Sequence, residues 1–341
     1  MDEYDNFANQ LITSHQDGLY YDLTTSESFF RALFKVIKAG IGERAIERVF
    51  ITGVLPITMD DLTSGFNVAE IITLKNDTLN MLGFTQDEVD GYLEDIYDSY
   101  GFDKHNMEEI RLILMENYNG YKFLPDAKEK LYNSTILTYF LKSLVIAEGE
   151  MPREVIDENL RTDLNWIKRL TQREENAKDM LETLILDNEL AYDNKIIRSK
   201  FNMDQFFEKD FYPMSLFYLG MLSFKDKFKM QLPNLTMRQI CAEYFNIIEN
   251  IEISKGYVSI FEKFYRDLDI ENLFKGYWDV YVKQLPAQIF DKVNENFFAQ
   301  PFMNYVPDIY PMILLLRLRL IIQVVVVIGR CWVNFTQNIS I

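Results

Sequence analysis

The sequence predicts an α-dominated α/β fold, and three observations lead to this class. Many apolar side chains recur three or four positions apart, which is the spacing of one buried helix face. A short, nearly continuous apolar run at Val49–Val54 is typical of a strand inside a parallel sheet. The composition, with 48% hydrophobic and 14% aromatic residues, is that of a folded globular protein. A chain of 341 residues is long enough for two or three domains.

The chain is strongly acidic, with a net charge of −17 and a sequence pI near 4.7. This charge disfavours a protein that coats nucleic acid, because binding to phosphates needs a positive field. Cys241 and Cys331 lie too far apart in sequence to indicate a disulfide framework. His15 and His105 have no second His or Cys at ligand spacing, so no histidine-based metal site is predicted. Residues 1–15 do not resemble a signal peptide, and we expect a cytoplasmic protein.

The N-terminal part carries two helical patterns before the apolar run. Residues 3–16 predict a short helix. Residues 26–38 predict a second helix, with Ser26 as its N-cap and Gly40 as its end. The strand at 49–54 is expected to be buried on both faces of a parallel sheet.

The acidic pair Asp2-Glu3 is the first candidate site. In nucleotide hydrolases, such a pair holds Mg²⁺ and polarises the attacking water. The alternative is an ordinary solvated N-terminus, and the pair by itself does not decide between the two interpretations.

Residues 63–150 are predicted to be helical. The first of their helices starts at Thr85 with the spacing of a capping box, in which Glu88 is the second partner. Two further helices are predicted at 107–116 and 132–147. Between them, Asn119–Phe123 is predicted to be a packed aromatic turn rather than a ligand contact.

Residues 151–288 are predicted to contain further helices, at 173–190, 203–222, 259–267 and 270–284. A β-hairpin is predicted within 219–234, and the next helix is expected to begin near Thr236. The order helix, hairpin, helix is compatible with a winged-helix-like module.

Several segments together resemble one protein family. They are Asp2–Asn6 (DEYDN), Arg48–Asn67 (RVFITGVLPITMDDLTSGFN), Asn119–Phe123 (NGYKF), Leu131–Ser134 (LYNS) and Leu216–Leu222 (LFYLGML). These segments resemble the AAA-ATPase-like family of bacterial proteins, over roughly residues 2–300. Members of that family typically carry a PD-(D/E)XK nuclease-like domain at the C-terminus.

The resemblance implies a division into domains. Residues 1–62 would form part of a P-loop NTPase sheet, with a Walker B segment and a sensor-type strand. A helical lid would follow at 63–150, and a helical or winged-helix-like linker region at 151–288. Residues 289–341 would hold the start of a truncated nuclease-like domain and an aberrant apolar tail.

The resemblance also implies a site and its cofactors, ATP and Mg²⁺. Asp2 would bind the nucleotide through Mg²⁺, and Glu3 would orient the attacking water. Thr52 would lie near the γ-phosphate as a hydrogen-bond donor. The alternative for Thr52 is a β-branched residue that only packs in its strand. Asp60 and Asp61 are expected to cap the following helix.

Two features depart from the family pattern. The phosphate-binding loop needs Gly-x-x-x-x-Gly-Lys-Ser/Thr, and no Gly-Lys dipeptide occurs in the 341 residues. We therefore expect an incomplete member that neither binds ATP tightly nor hydrolyses it alone. From Phe302 onward the only acid is Asp308, so the acidic residues of a nuclease domain are also missing.

The tail at 309–332 is long enough to span a membrane. Arg317 and Arg319 lie near its middle, where each costs about 2.5–3.5 kcal/mol, so we expect no membrane association. The run Val324–Ile328 is typical of an exposed, aggregation-prone strand, and we expect poor solubility. A shifted reading frame or a truncated end explains the tail better than a membrane anchor.

The favoured function is an AAA-ATPase-like protein without independent activity, for which nucleic acid is a target only by family analogy. One alternative is a non-enzymatic interaction module that binds a protein partner or a second copy of itself. Another is one part of a split ATPase or nuclease-like protein. A metal-dependent nuclease is disfavoured, because no Asp…Glu-x-Lys set is placed on a pair of predicted strands.

Overall fold

A computed structural model describes residues 1–25, 28–61, 69–152, 164–173, 176–198 and 201–251. Between 259 and 285, it describes residues 259, 260, 263, 266, 267, 272, 275, 276 and 279–285. This part of the chain is rich in helix and has two small sheets, which confirms the α-dominated α/β class. The truncated nuclease-like domain and the apolar tail predicted at 289–341 lie outside the described residues.

The N-terminal region contains four helices: α1 (Asn6–Thr13), α2 (Asp17–Thr25), α3 (Phe29–Gly42) and α4 (Ile57–Asp61). Helix α1 confirms the first predicted helix. Helix α3 is capped by Ser28, whose side chain accepts a hydrogen bond from the backbone N–H of Arg31 at 3.2 Å, and not by Ser26. Gly40 does not end α3 either, because an internal glycine weakens a helix without terminating it.

Two extended segments of this region, residues 1–4 and residues 50–54, run side by side in the same direction. The amino group of Met1 donates to the carbonyl of Phe50 at 2.8 Å. The N–H of Thr52 donates to Met1 O at 2.9 Å, and the N–H of Tyr4 donates to Thr52 O at 3.0 Å. Helices α1, α2 and α3 form the connection between the two segments, as a parallel arrangement requires.

The segment at 49–54 is extended, but it belongs to neither of the two described sheets and is not buried on both faces, so the prediction of a buried parallel strand is wrong. Phe50 and Val54 are each 51% exposed, whereas Ile51 packs on the cluster that contains Phe34 of α3. A strand in a parallel sheet is buried by neighbours on both sides and by helices on both faces. Among the described residues, hydrogen bonds join this segment to residues 1–5, and the N–H groups of Ile51 and Gly53 at its other edge have no partner.

Three helices pack around a separate core in the middle of the chain. They are α5 (Gln86–Tyr100), α6 (Met107–Tyr118) and α7 (Ser134–Ile146), and the antiparallel pair β1 (Gly83–Phe84) and β2 (Tyr132–Asn133) lies beside them. The predicted capping box is confirmed. The backbone N–H of Glu88 donates to Thr85 Oγ1 at 3.3 Å, and the N–H of Thr85 donates to Glu88 Oε2 at 2.8 Å.

The C-terminal described region combines five helices with a small sheet. The helices are α8 (Leu164–Arg173), α9 (Asn176–Asp187), α10 (Met203–Phe206), α11 (Tyr212–Tyr218) and α12 (Leu235–Ile248). The strands β3 (Glu189–Ala191), β4 (Ser223–Phe224) and β5 (Lys229–Gln231) form an antiparallel sheet of order β3-β5-β4. Short 3₁₀ helices lie at Asn76–Thr78, Lys104–Asn106, Asn194–Arg198, Lys209–Phe211 and Val282–Gln284.

The predicted hairpin and the helix after it are confirmed by β4, β5 and α12. The helix predicted at 203–222 is instead divided into α10 and α11 by the 3₁₀ turn at Lys209–Phe211. Pro213 lies in the first turn of α11, the one part of a helix where the missing N–H of proline is tolerated. The winged-helix-like module stays a prediction.

The N-terminal and C-terminal regions share one large hydrophobic core. Ile12, Leu55 and Ile57 belong to the same buried cluster as Trp166 and Phe206. The predicted domain boundaries stay predictions. In the described ranges, no helix is both long enough and apolar enough to cross a membrane.

The Asn119–Phe123 turn packs against the C-terminal region, as predicted for an aromatic turn. Tyr121 belongs to the large core, and the N–H of Lys122 donates to Ser223 Oγ at 2.7 Å. The Ser223 hydroxyl donates in turn to Gly120 O at 2.9 Å. The backbone of the turn is therefore joined to the sheet through the Ser223 side chain.

Candidate functional site

The structure brings together the three predicted site residues. The hydroxyl of Thr52 donates a hydrogen bond to Asp2 Oδ1. The N–H of Glu3 donates to the same Asp2 Oδ1 at 3.1 Å and lies 3.4 Å from Thr52 Oγ1. Asp2 and Glu3 are exposed, and we call this pair with Thr52 the acid tip.

The backbone at Glu3 is irregular. Thr52 bonds on one side to Met1 O and on the other to the N–H of Tyr4, so Glu3 bulges out of the pairing. Its φ is +45°, in the left-handed region, which costs about 1–2 kcal/mol for a residue other than glycine. Strained backbone of this kind tends to cluster at functional sites. The Glu3 carboxylate accepts a hydrogen bond from Asn6 Nδ2 at 3.3 Å.

Asp5, two residues after Glu3 in the sequence, has a buried carboxylate. Asp5 is 0% exposed and accepts hydrogen bonds from the N–H groups of Val54 at 3.0 Å and Leu55 at 2.8 Å. Asn9 Nδ2 is a third donor, at 3.0 Å. Sequence reasoning did not single out Asp5, although a third acid in the run DEYD was the available signal.

Gly53 was also missed as a site residue. A Cβ on Gly53 would lie 2.4 Å from the Tyr4 ring and 2.5 Å from Asp5 Oδ1, so no larger residue fits without movement of that segment. The signal was a glycine inside an apolar run, which often marks a close approach of another backbone or side chain.

Asp61 was predicted to cap the following helix, and this stays a prediction, because residues 62–68 lie outside the described part of the chain. It is the last residue of α4, and its Oδ2 accepts hydrogen bonds from the Tyr20 hydroxyl at 2.6 Å and the N–H of Met203 at 3.3 Å. Burial and the nearby Asp61 charge raise the pKa of Tyr20 above its ordinary value. Asp61 thus joins the N-terminal region to α10. The side chain of Asp60 lies outside the described residues.

The acid tip fits one particular kind of metal site. Within the ranges that the structure describes, no group of three or more His, Cys, Asp or Glu side chains could hold a metal ion by itself. Mg²⁺ in nucleotide enzymes is usually bound by only one or two carboxylates, together with substrate phosphates and water. Asp2 Oδ2 accepts no hydrogen bond from the described residues, so it is available as such a ligand.

The sequence does not supply the groups that usually bind nucleotide phosphates. Phosphates are held by successive backbone N–H groups of a glycine-rich loop and by its lysine. The sequence contains no Gly-Lys dipeptide from which such a loop could be built. The acid tip could therefore supply a metal ligand, whereas the sequence offers no such loop for the phosphates.

Comparison with known proteins found a family match over part of the chain. Residues 1–63 match the model of a family described as predicted AAA-ATPase. The match covers the acid tip and α1 to α4, and beyond residue 63 the broader resemblance stays a prediction. Searches of curated proteins and of solved structures found no match.

Proposed function

We propose that the acid tip is the metal- and water-binding half of an ATP-hydrolysing site of the AAA-ATPase type. The phosphate-binding loop of this site comes from polypeptide outside the 341 residues. The chain alone then has no ATPase activity. The observation that carries the proposal is the hydrogen bond from Thr52 to Asp2, which joins the ends of two neighbouring extended segments.

The position of the acid tip supports the proposal. Ligands of sheets with parallel strands bind beyond the carboxyl ends of the strands, and Asp2 and Thr52 lie at the carboxyl ends of two paired extended segments that run in the same direction. The match of residues 1–63 to the predicted AAA-ATPase family covers all three residues of the acid tip. Within the described ranges, the N–H groups of Ile51 and Gly53 have no hydrogen-bond partner, so a further strand could pair with this edge.

Each residue of the acid tip has a distinct role in this proposal. Asp2, whose Oδ1 accepts the hydrogen bond from Thr52, would hold Mg²⁺. Glu3 accepts a proton from the attacking water or orients it, which its exposed carboxylate is able to do. The bound Mg²⁺ would neutralise charge on the phosphates. Thr52 holds Asp2 in orientation from the neighbouring segment.

A non-enzymatic interaction module is the second candidate. It is favoured by the exposed apolar side chains of the N-terminal region, among them Phe29 (83%), Val36 (68%) and Phe50 (51%). Exposed apolar patches commonly mark surfaces that bind another protein. In this alternative, Asp2 and Glu3 have no catalytic role.

The experiment joins the chain to the polypeptide encoded directly upstream of Met1 and measures phosphate release from ATP. We expect Mg²⁺-dependent turnover, which Glu3→Gln lowers by at least about 100-fold with little change in ATP affinity. This result follows because the amide keeps the size of the side chain but cannot accept the proton of water.

Glu47→Gln is the matched control, since Glu47 is also exposed and lies in the same region but outside the acid tip. Its turnover should equal that of the unsubstituted protein. Turnover that Glu3→Gln leaves unchanged would contradict the proposed role of Glu3. An upstream sequence without a Gly-Lys-Ser/Thr loop, together with no turnover, would favour the interaction module.

A further inference from the structure

We propose that Asp5 is a positioning residue, whose buried carboxylate fixes the loop after Thr52 and thereby sets the geometry of the acid tip. This inference rests on the proposed function, because it assigns Asp5 a role in the same site. Asp5 itself is 0% exposed, so it cannot touch a nucleotide or the attacking water. Its effect on the site has to pass through other residues.

In the first step, Asp5 fixes the loop after Thr52 through hydrogen bonds. Its two carboxylate oxygens accept from consecutive N–H groups, with Oδ1 bonded to Val54 and Oδ2 to Leu55. Asn9 from α1 donates to the same Oδ2. A buried carboxylate is stable only when such donors surround it, and the buried N–H of Leu55 in turn needs this acceptor. The loop conformation and the Asp5 carboxylate therefore require each other.

The second step connects this loop to Thr52. Gly53 is the single residue between Thr52 and the N–H of Val54 that Asp5 holds. The Tyr4 ring and the Asp5 carboxylate fill the space where a Cβ of Gly53 would be, so this glycine cannot be replaced without moving them. Leu55 and Ile57, which follow, are buried in the large core. The loop is therefore fixed at both ends.

The third step connects the loop to the acid tip. Tyr4 lies between Glu3 and Asp5 and makes two contacts with the second segment. Its N–H donates to Thr52 O at 3.0 Å, and its hydroxyl donates to Leu55 O at 3.1 Å. Asp2 and Glu3 are exposed and have no packing of comparable extent. The conformation of Asp2 and Glu3 is therefore set by Tyr4 and Asp5, which follow them directly and are held by these hydrogen bonds.

A disulfide between positions 2 and 52 measures this geometry without any nucleotide. Disulfide formation needs Cα atoms about 4.4–6.8 Å apart, a distance typical of residues on neighbouring strands. The substitutions Asp2→Cys and Thr52→Cys are made in the full chain, with Cys331→Ser. Burial raises the pKa of the Cys241 thiol to about 12, so this native cysteine stays unreactive and is kept.

The measurement is the rate of cross-link formation in a glutathione buffer, followed by mass spectrometry of the peptides. We expect Asp5→Ala to slow the reaction by at least about tenfold, because the N–H groups of Val54 and Leu55 lose their acceptor and release the loop. Asp5→Asn should slow it less, since its amide oxygen still accepts a hydrogen bond. If Asp5→Ala does not fold, the cross-linking rate of Asp5→Asn is used to test the positioning role.

Asn106→Ala is the matched control for a general loss of stability. Asn106 is buried in the separate middle core and donates to Gly149 O at 3.1 Å. We expect it to lower the melting temperature without slowing the cross-link. An unchanged rate in both Asp5 variants, or an equal loss in the control, would overturn the positioning role. Since the test uses no nucleotide, its failure would leave the proposed ATP chemistry untouched.

Discussion

Gly120→Ala is expected to destabilise the protein by more than about 4 kcal/mol, which is enough to prevent folding of many proteins of this size. Gly120 has a φ of +123°, a conformation that residues with a side chain rarely adopt. A Cβ at this position would lie 2.0 Å from Pro233 O and 2.7 Å from Pro233 C. These atoms are backbone, so no side chain can rotate away to relieve the contact. Urea unfolding, or the yield of soluble protein, measures the loss.

Gly91→Ala is the matched control. Gly91 lies inside α5, and a Cβ there would have no atom within 4 Å. Because alanine favours a helix over glycine, we expect this variant to be as stable as the parent or more stable by up to about 1 kcal/mol. A Gly120→Ala protein that unfolds at the same urea concentration as Gly91→Ala would show that the turn does not need glycine.

Asp17→Asn is expected to destabilise the protein by about 3 kcal/mol, and by more than Arg169→Met does. Asp17 of α2 pairs with the guanidinium of Arg169 in α8, whose side chain is only 1% exposed. The guanidinium also lies 4.8 Å from the centre of the Phe207 ring. Removal of the acid leaves a buried positive charge without this partner. Arg169→Met removes that charge and fills the same space with an apolar side chain.

The informative result of the unfolding measurement is which of the two variants, Asp17→Asn or Arg169→Met, loses more stability. We expect the double variant Asp17→Asn/Arg169→Met to resemble Arg169→Met, because the ion pair is absent in both. Glu94→Gln, at an exposed position of α5, controls for the general effect of removing one negative charge. A larger loss for Arg169→Met than for Asp17→Asn would show that packing of the arginine matters more than its pairing.

Features encoded by local sequence could be predicted. The capping box at Thr85 and Glu88 depends on residues three positions apart, and the structure has it as expected. The β4–β5 hairpin and the start of α12 also follow from nearby turn residues and helix spacing. The apolar periodicity was sufficient to predict an α-dominated fold.

Features that depend on distant residues could not be predicted. Arg169 is buried because Asp17, 152 positions away, pairs with it, whereas an arginine in an amphipathic helix is usually exposed. The carboxylate of Asp5 is bonded to N–H groups 49 and 50 positions away. No spacing rule connects such residues. The same reason explains the exposed segment at 49–54, because the burial of a strand depends on neighbours that its own sequence does not specify.

The residues of the acid tip were predicted from the sequence, but the residues that hold them in position were not. Asp2 and Glu3 were selected as an acidic pair and Thr52 through the family resemblance, and the structure brings all three together. Their chemical roles stay predictions. Asp5 and Gly53 hold this arrangement and emerge only from the packing of the two extended segments.

Calorimetric titration with ATP and Mg²⁺ tests most directly whether the acid tip depends on a phosphate-binding loop from other polypeptide. We expect no saturable binding by the 341-residue chain alone, because two carboxylates repel the phosphates unless amide groups and a lysine hold them. With the upstream polypeptide present, binding should become saturable. Micromolar affinity of the chain alone, abolished by Asp2→Ala, would contradict the account.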